Sequence, residues 1–166
     1  LICHIKGSGK KLMMPAHRDV IGFMVMMVEE SGKIRFAPIG GHAFANLSST
    51  PVRFENGTHG VIVLEGDKTE NVAASLDQYD FYIDIGAKNR KEALEYVREG
   101  DVAVFDVPQR KVLNNCVMGP YADNLISCVT LLTAMPKIKN PENDLYFVFT
   151  VQEEVGLRGS TSAAYH

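Results

Sequence analysis

Two adjacent glutamates, Glu153 and Glu154, follow the apolar stretch 147–151, which reads as a buried strand. Open α/β sheets place their chemistry just past the carboxyl ends of strands, and a buried carboxylate without a partner is costly. A metal cation is one suitable partner, because it would bind one carboxylate and leave the other free to transfer protons. The alternative is a solvated pair of glutamates at a loop entrance, and this stretch alone does not separate the two.

A second small cluster is His17 followed by Asp19 at the end of another predicted strand. A histidine can bind a metal through one ring nitrogen while a nearby carboxylate accepts the other N–H. Such a carboxylate fixes the tautomer and raises the basicity of the ligand. An ordinary turn or hydrogen bond is the alternative explanation of this pair.

The third cluster is Asp123, with Asn124 beside it, at the predicted start of a helix. A helix cap explains an aspartate there. The functional alternative is a carboxylate that bridges two metals, with Asn124 hydrogen-bonded to the site. Together the three clusters supply one imidazole and several carboxylates, which borderline metals such as Zn²⁺ accept. None of the clusters contains cysteine, so a structural thiolate zinc site is not expected.

The predicted elements form an α/β pattern at both ends of the chain, and a β-rich module of short strands interrupts it. We therefore predict an α/β domain over 1–41 and 116–166, with an inserted β-rich domain over 42–115. This is the expected pattern of one domain inserted into another. A polar loop is predicted between Thr69 and Gln78.

Several local features refine this prediction. Asn56-Gly57 predicts the tip of a hairpin, and Asn89 is predicted to cap a helix over 90–98. The methionine-rich stretch 24–27 is predicted to pack in the core. The helix that starts at Asp123 has apolar positions spaced for one buried face. These positions are Leu125, Ile126, Val129 and Leu132.

Composition excludes several classes of protein. The chain has 166 residues, of which 46% are hydrophobic and 22% charged, so it is globular. A net charge of −3 gives no reason to expect nucleic acid as a partner. Without an apolar run of about 20 residues, no membrane partner is expected. Cys3, Cys116 and Cys128 show no CxxC spacing, so we expect reduced thiols and a cytoplasmic protein.

The clusters and their surroundings resemble the glutamyl aminopeptidase or deblocking (TET-type) aminopeptidase family, metallopeptidase family forty-two. Residues 16–25 resemble its AH-x-DE-IGF-x-V segment, and Asp123-Asn124 resembles the start of its DNR-x-G segment. Residues 151–159 read VQEEVGLRG, which matches the family's run at every position. Segments 36–41 and 81–87 are similar too, and the resemblance covers nearly the whole chain.

The resemblance implies a two-metal aminopeptidase that hydrolyses N-terminal residues from peptides. It also implies a fold in which a Zn-peptidase-like α/β catalytic domain, incomplete in this chain, carries an inserted β-barrel-like domain. His17 would ligate the first metal, and Asp19 would orient it. Asp123 would bridge the two metals, and Glu154 would ligate the second. Glu153 would be the general base that takes a proton from the attacking water. The ions, Zn or Co, would lower the pKa of the water and polarise the scissile carbonyl.

The resemblance also implies a homo-oligomer, with dimers building to a dodecamer. The sequence departs from the family pattern at Val20, where an acidic residue is usual, and at Leu125, where arginine is usual. Two further ligands of the family lie beyond its VQEEVGLRG run, so each metal is expected to lack one ligand here. We therefore expect a fragment of a longer polypeptide.

A truncated or degenerate relative that acts as a non-catalytic subunit in oligomer assembly is the alternative. A glycosidase is a weaker option, because adjacent Glu153 and Glu154 are poorly placed to flank a sugar from opposite sides.

Overall fold

The computed structural model describes residues 1–66 and 76–165. Most of the loop predicted between Thr69 and Gln78 therefore lies outside the described residues. The chain divides into two units, the α/β unit (Leu1–Val20 with the chain from Tyr121 onward) and the barrel unit (Ile21–Pro120). None of the helices formed by the described residues combines the length and the hydropathy that a transmembrane span requires.

In chain order, the strands and α-helices are β1 (Ile2–Ile5), β2 (Lys11–His17), β3 (Gly22–Val28), β4 (Ile34–Ile39), β5 (Pro51–Phe54), β6 (His59–Leu64), β7 (Phe81–Asp84), α1 (Arg90–Ala93), β8 (Val102–Phe105), β9 (Arg110–Lys111), β10 (Val117–Met118), α2 (Ala122–Ala134), β11 (Asp144–Thr150) and α3 (Arg158–Ala164).

The α/β unit is built on a three-stranded sheet in the order β1-β11-β2. The middle strand, β11, pairs antiparallel with β1 and parallel with β2. Most of β11 is buried, which explains its continuous apolar sequence. Helix α2 covers one face of this sheet and buries Cys128 in a cluster with Ala16, Phe147 and Phe149.

The face of α2 that packs on the sheet is not the predicted one. The four predicted apolar positions are 37–65% exposed; they are Leu125, Ile126, Val129 and Leu132. Cys128 is buried instead, and Leu131 and Met135 pack beside it. These three residues are also spaced by three and four positions, so they form a second stripe along the helix. This second stripe faces the sheet.

The barrel unit contains a closed barrel in the order β3-β4-β7-β6-β5-β8, and β8 pairs back onto β3. Its core is made of inward-facing side chains from all six strands. Phe23 lies at the centre of an aromatic group, with ring centroids 5.1 Å from Phe36 and 5.3 Å from Phe105. Closure satisfies the edges that an open sheet of such short strands would leave free.

Strands β3 and β4 belong to the barrel, although the predicted boundary at residue 41 placed them in the α/β domain. The barrel needs both strands, because β3 pairs with β8 and β4 pairs with β7. The boundaries of the two units instead lie between Val20 and Ile21 and between Pro120 and Tyr121. The mixed α/β architecture with a β barrel between its two parts otherwise agrees with the predicted fold class.

A β-bulge in β3 overturns the prediction that its methionines pack in the core. The register shifts between Val25 and Met27, so the strand gains one residue relative to its partner. Val25 and Val28 therefore both point inward. Met24, Met26 and Met27 are 38%, 56% and 47% exposed.

Two predicted local features are confirmed, one with a changed length. The side chain of Asn89 accepts a hydrogen bond from the Glu92 N–H at 3.0 Å and caps α1. Regular α-helix ends at Ala93, earlier than the predicted residue 98. Asn56-Gly57 forms the β5–β6 hairpin turn, where Gly57 has a φ of +90°.

Candidate metal centre

The parallel pairing of β2 and β11 brings the candidate residues to one edge of the sheet. His17 lies opposite Thr150 at the ends of these strands, and the Arg18 N–H donates to the Thr150 carbonyl at 3.0 Å. Residues that follow the ends of two parallel strands emerge side by side. The glutamates after β11 therefore emerge next to His17.

A sharp turn keeps those glutamates beside the strand end. Gln152 has a φ of 60°, in the left-handed region. The Glu153 carbonyl then accepts hydrogen bonds from the N–H groups of Gly156 at 2.9 Å and Leu157 at 3.0 Å. Gly156 has a φ of +111°, a conformation that glycine adopts without strain. The turn therefore closes within a few residues.

Gly159 allows α3 to begin against the end of β11. A Cβ atom at this position would lie 2.3 Å from the Val151 carbonyl oxygen and 2.9 Å from the Val151 nitrogen. Both atoms belong to the backbone and cannot move away cheaply. The two glycines of the VQEEVGLRG run therefore have separate roles: Gly156 forms the turn and Gly159 permits close packing.

The site itself is a buried imidazole faced by carboxylates. Ligand atoms of His17, Glu153 and Glu154 lie within 4.8 Å of one another. The Nε2 atom of His17 is 3.6 Å from Glu153 Oε2 and 3.2 Å from Asp123 Oδ1. His17 is only 6% exposed, whereas the side chain of Asp123 is 89% exposed. The structure thus brings together the four residues predicted as metal ligands and general base.

Asp123 lies at the irregular start of α2. Its backbone and that of Asn124 are non-helical, and the peptide bond between them is cis. Asn124 lines a cavity of about 170 Å³ together with His17 and Glu153. The predicted position of Asn124 beside the site therefore agrees with the structure.

Asp19 contacts the site differently from the prediction. The Nδ1 atom of His17 donates to the Asp19 main-chain carbonyl at 3.0 Å, whereas the Asp19 carboxylate is 3.7 Å away. Because a carbonyl only accepts, Nδ1 carries the proton, and Nε2 of the neutral ring keeps its lone pair. The Asp19 Oδ2 atom instead accepts a hydrogen bond from the Glu154 N–H at 3.1 Å.

The carboxylates outweigh the imidazole in charge, and this shifts the pKa of His17. Burial lowers its pKa. The hydrogen bond to the Asp19 backbone, the negative charges of Glu153 and Asp19, and the hydrogen bond to the Asp123 carboxylate together outweigh burial, so the pKa rises above the ordinary 6.5. Burial raises the pKa of Glu154; His17 lowers it, and the nearby carboxylates raise it further. The site is short of positive charge, and a divalent cation would supply it.

One contact was missed from the sequence. The Sγ atom of Cys128, in α2, donates to the His17 carbonyl at 3.2 Å. Nothing in the spacing of the three cysteines distinguishes Cys128 from the others. Its position is set by the packing of α2, which the predicted apolar face misplaced.

Comparisons with known proteins agree with this geometry. A family model described as M42 glutamyl aminopeptidase matches residues 1–166. A protein of Acetivibrio thermocellus, named among the aminopeptidases, is 42% identical over 99% of this chain and 49% of its own length. The lysyl aminopeptidase of Pyrococcus furiosus is 34% identical over 99% of this chain and 50% of its own length.

The solved structure of the Pyrococcus horikoshii TET1 peptidase, which can assemble into a tetrahedron or a large octahedral shell, matches with a TM-score of 0.82. It is 35% identical, and the match covers 99% of this chain and 52% of that chain. This chain thus spans about half the length of the relatives it matches.

Proposed function

Because this chain belongs to the M42 glutamyl aminopeptidase family, we propose that its α/β unit carries part of the active site of a metal-dependent aminopeptidase. The observation that carries the proposal is the cluster of His17, Glu153 and Glu154, whose ligand atoms lie within 4.8 Å of one another. In this proposal the α/β unit is the catalytic domain and the barrel unit is an insert.

Three side chains would hold two divalent ions, Zn²⁺ or Co²⁺. His17 would bind one ion through Nε2, Glu154 would bind the other, and Asp123 would bridge them. When bound, such ions lower the pKa of water and polarise the scissile carbonyl. The imidazole and carboxylates are donors that these ions accept. Further ligands would come from outside residues 1–166.

Glu153 would be the general base. Its side chain is 32% exposed, and Oε2 lies 3.6 Å from the Nε2 atom of His17. It can therefore reach both the metal-binding atoms and an entering water. Glu153 would take a proton from the attacking water at a carboxylate oxygen and then pass it to the leaving amine.

The substrate would be the N-terminal residue of a peptide, and the assembly would be a homo-oligomer. The aminopeptidase names of the relatives and the TET1 shells support these two proposals. The retained cluster of His17, Glu153 and Glu154 argues against a degenerate, non-catalytic relative.

A chimera tests the proposal. Residues 1–166 would replace the matching segment of the Pyrococcus furiosus lysyl aminopeptidase, and release of N-terminal residues from short peptides would be measured with Zn²⁺ or Co²⁺. We expect metal-dependent activity. Glu153→Gln should lower kcat about 100-fold or more, because general-base catalysis contributes at least that factor, while the metal content stays unchanged.

The matched control is Glu99→Gln, which changes an exposed glutamate of the barrel unit and should leave kcat unaltered. A folded, metal-loaded chimera without activity would overturn the proposal. Full activity of Glu153→Gln would remove Glu153 from the role of base.

A further inference from the structure

The carboxylate of Asp19 joins two segments that are far apart in sequence. Its Oδ2 atom accepts the Glu154 N–H at 3.1 Å, a contact between residues 135 positions apart. Asp19 follows the end of β2, and Glu154 lies in the turn after β11. This hydrogen bond therefore links the two strand ends that carry the candidate ligands.

The same carboxylate does not hydrogen-bond to the imidazole. The single proton on His17 Nδ1 is donated to the Asp19 main-chain carbonyl at 3.0 Å. The nearer carboxylate oxygen, Oδ1, is 3.7 Å from Nδ1, beyond hydrogen-bond distance, and it is buried with no hydrogen-bond partner among residues 1–66 and 76–165. The main chain at Asp19 thus fixes the tautomer of His17, and its side chain is left for Glu154.

We propose that Asp19 is a positioning residue whose carboxylate holds the backbone of Glu154 beside His17. This inference rests on the proposed function, because it concerns the same ligands. Without the hydrogen bond, the turn that carries Glu153 and Glu154 would be free to move away from the end of β2. Metal affinity would then fall, since the donors would no longer be held together before the ion binds.

Two substitutions separate this role from an electrostatic effect on the imidazole. Asp19→Asn removes the charge but keeps an oxygen that can accept the Glu154 N–H. Asp19→Ala removes both. The measurements are the hydrogen-exchange rate of the Glu154 amide by NMR in the metal-free chain, and the Zn²⁺ affinity by isothermal titration calorimetry.

We expect Asp19→Asn to keep the Glu154 amide protected and to lose less than about tenfold in Zn²⁺ affinity. Asp19→Ala should expose that amide to exchange and lower the affinity about 10–100-fold, the usual effect of removing a group that supports a metal ligand. If Asp19→Ala does not fold, Asp19→Asn still tests the proposal, because loss of Glu154 amide protection or of Zn²⁺ affinity in the asparagine variant would overturn it.

Asp101→Ala is the matched control. Asp101 accepts a hydrogen bond from the Arg98 N–H at 2.8 Å in the barrel unit, so its loss should speed exchange at Arg98 and leave Zn²⁺ affinity unchanged. An unchanged Glu154 exchange rate in Asp19→Ala would overturn the positioning role. If the unaltered chain binds no Zn²⁺, the proposed function fails, whereas the exchange measurements still decide the role of Asp19.

Discussion

At the scale of single residues, His17 decides the charge balance of the site. In the described part of the chain, it is the one imidazole among the carboxylates of Asp19, Asp123, Glu153 and Glu154. Its Nδ1 proton is held by a carbonyl, so a metal and a second proton compete for the same atom, Nε2. Proton and metal binding at this atom should therefore exclude each other.

The pH dependence of metal binding follows from this competition. The pKa of His17 is raised above 6.5, so the ring is largely protonated at mildly acidic pH and must lose that proton to bind Zn²⁺. Zn²⁺ affinity should rise as pH increases through the His17 pKa and then level off, and each binding event should release a proton below that point. Calorimetry in buffers of different ionisation enthalpy measures both quantities.

His59→Gln is the control for this measurement. His59 is exposed and contacts Asp106 at 2.7 Å in the barrel unit, so its loss should leave the pH profile unchanged. A Zn²⁺ affinity that does not change with pH between about 5.5 and 8 would show that Nε2 of His17 is not a ligand atom.

The sequence predicted which residues belong to this cluster better than it predicted their contacts. Glu153 and Glu154 were found because two charges at the end of an apolar strand need a partner, and that argument requires no distances. The contact between Asp19 and Glu154 was not predicted, because it spans 135 positions and depends on which strands pair. The Cys128 thiol was missed for the same reason.

At the scale of elements, the turn between β11 and α3 positions the site. It bends at Gln152, closes at Gly156 and packs against β11 at Gly159. Glu153 and Glu154 lie within this turn, and their ligand atoms are within 4.8 Å of that of His17. A change in the backbone there would move both carboxylates together.

Gly159→Ala should therefore destabilise the α/β unit. The new methyl group would lie 2.3 Å from the Val151 carbonyl oxygen, so α3 would have to shift. We expect the free energy of unfolding to fall by about 1–3 kcal/mol, as for other overpacked sites. Urea denaturation followed by circular dichroism measures this change.

Gly41→Ala serves as the comparison, because a Cβ at Gly41 would meet no atom of the described residues within 4 Å. This substitution should change the free energy of unfolding by less than about 0.5 kcal/mol. Equal stability of the two variants would mean that α3 does not start against the end of β11.

Two elements show why the sequence did not predict which side chains point into the core. The apolar run of β3 predicted a strand, but the bulge between Val25 and Met27 changes which side chains point inward. In α2, two apolar stripes satisfy helical spacing, and the stripe of Cys128 is the one that faces the sheet. Both choices are made by the packing partner, which a local pattern does not contain.

At the scale of the whole molecule, two pairs of ionisable groups change the stability of the fold in opposite directions as pH rises. Hydrogen bonds from His4 lower the pKa of Asp144 in the α/β unit, and hydrogen bonds from Lys33 and Arg35 lower that of Glu65 in the barrel unit. The stabilisation by these two carboxylates is present above their ordinary values of 3.8 and 4.5 and is lost as pH falls through the lowered ones.

Two groups of the candidate metal centre make the fold less stable as pH rises. The pKa values of His17 and Glu154 are raised above 6.5 and 4.5, so their stabilisation is complete below those values and is lost as pH rises through the raised ones. We expect the metal-free chain to be most stable at mildly acidic pH, between 4.5 and 6.5. Thermal unfolding measured across the pH range checks this maximum.

Saturating Zn²⁺ should restore the stability that the metal-free chain loses at alkaline pH, because the ion binds the folded chain and neutralises the negative charge of the clustered carboxylates. In the metal-free chain, His17→Gln should reduce the amount of stability lost at alkaline pH. If the melting temperature of the metal-free chain keeps rising above about pH 7, His17 and Glu154 do not cause a loss of stability at alkaline pH.

The division into an α/β part and a β module was predictable, because the spacing of strands and turns changes along the chain. The position of the boundary was not. The apolar run of β3 and the alternation of β4 would suit a sheet in either unit, and only their pairing with β8 and β7 assigns them to the barrel. Topology, not local pattern, therefore sets the boundary.

The insertion point of the barrel has a consequence for the order of folding. The chain leaves the α/β unit just after Asp19 and returns at Tyr121, two residues before Asp123. Contact between His17 and Asp123 therefore closes a loop of 106 positions. Closing an unfolded loop of that length costs conformational entropy. The cost is smaller once the barrel has folded, because fewer residues of the loop remain disordered. The barrel should therefore form first, so that the two halves of the site meet late, as one of the last events in folding.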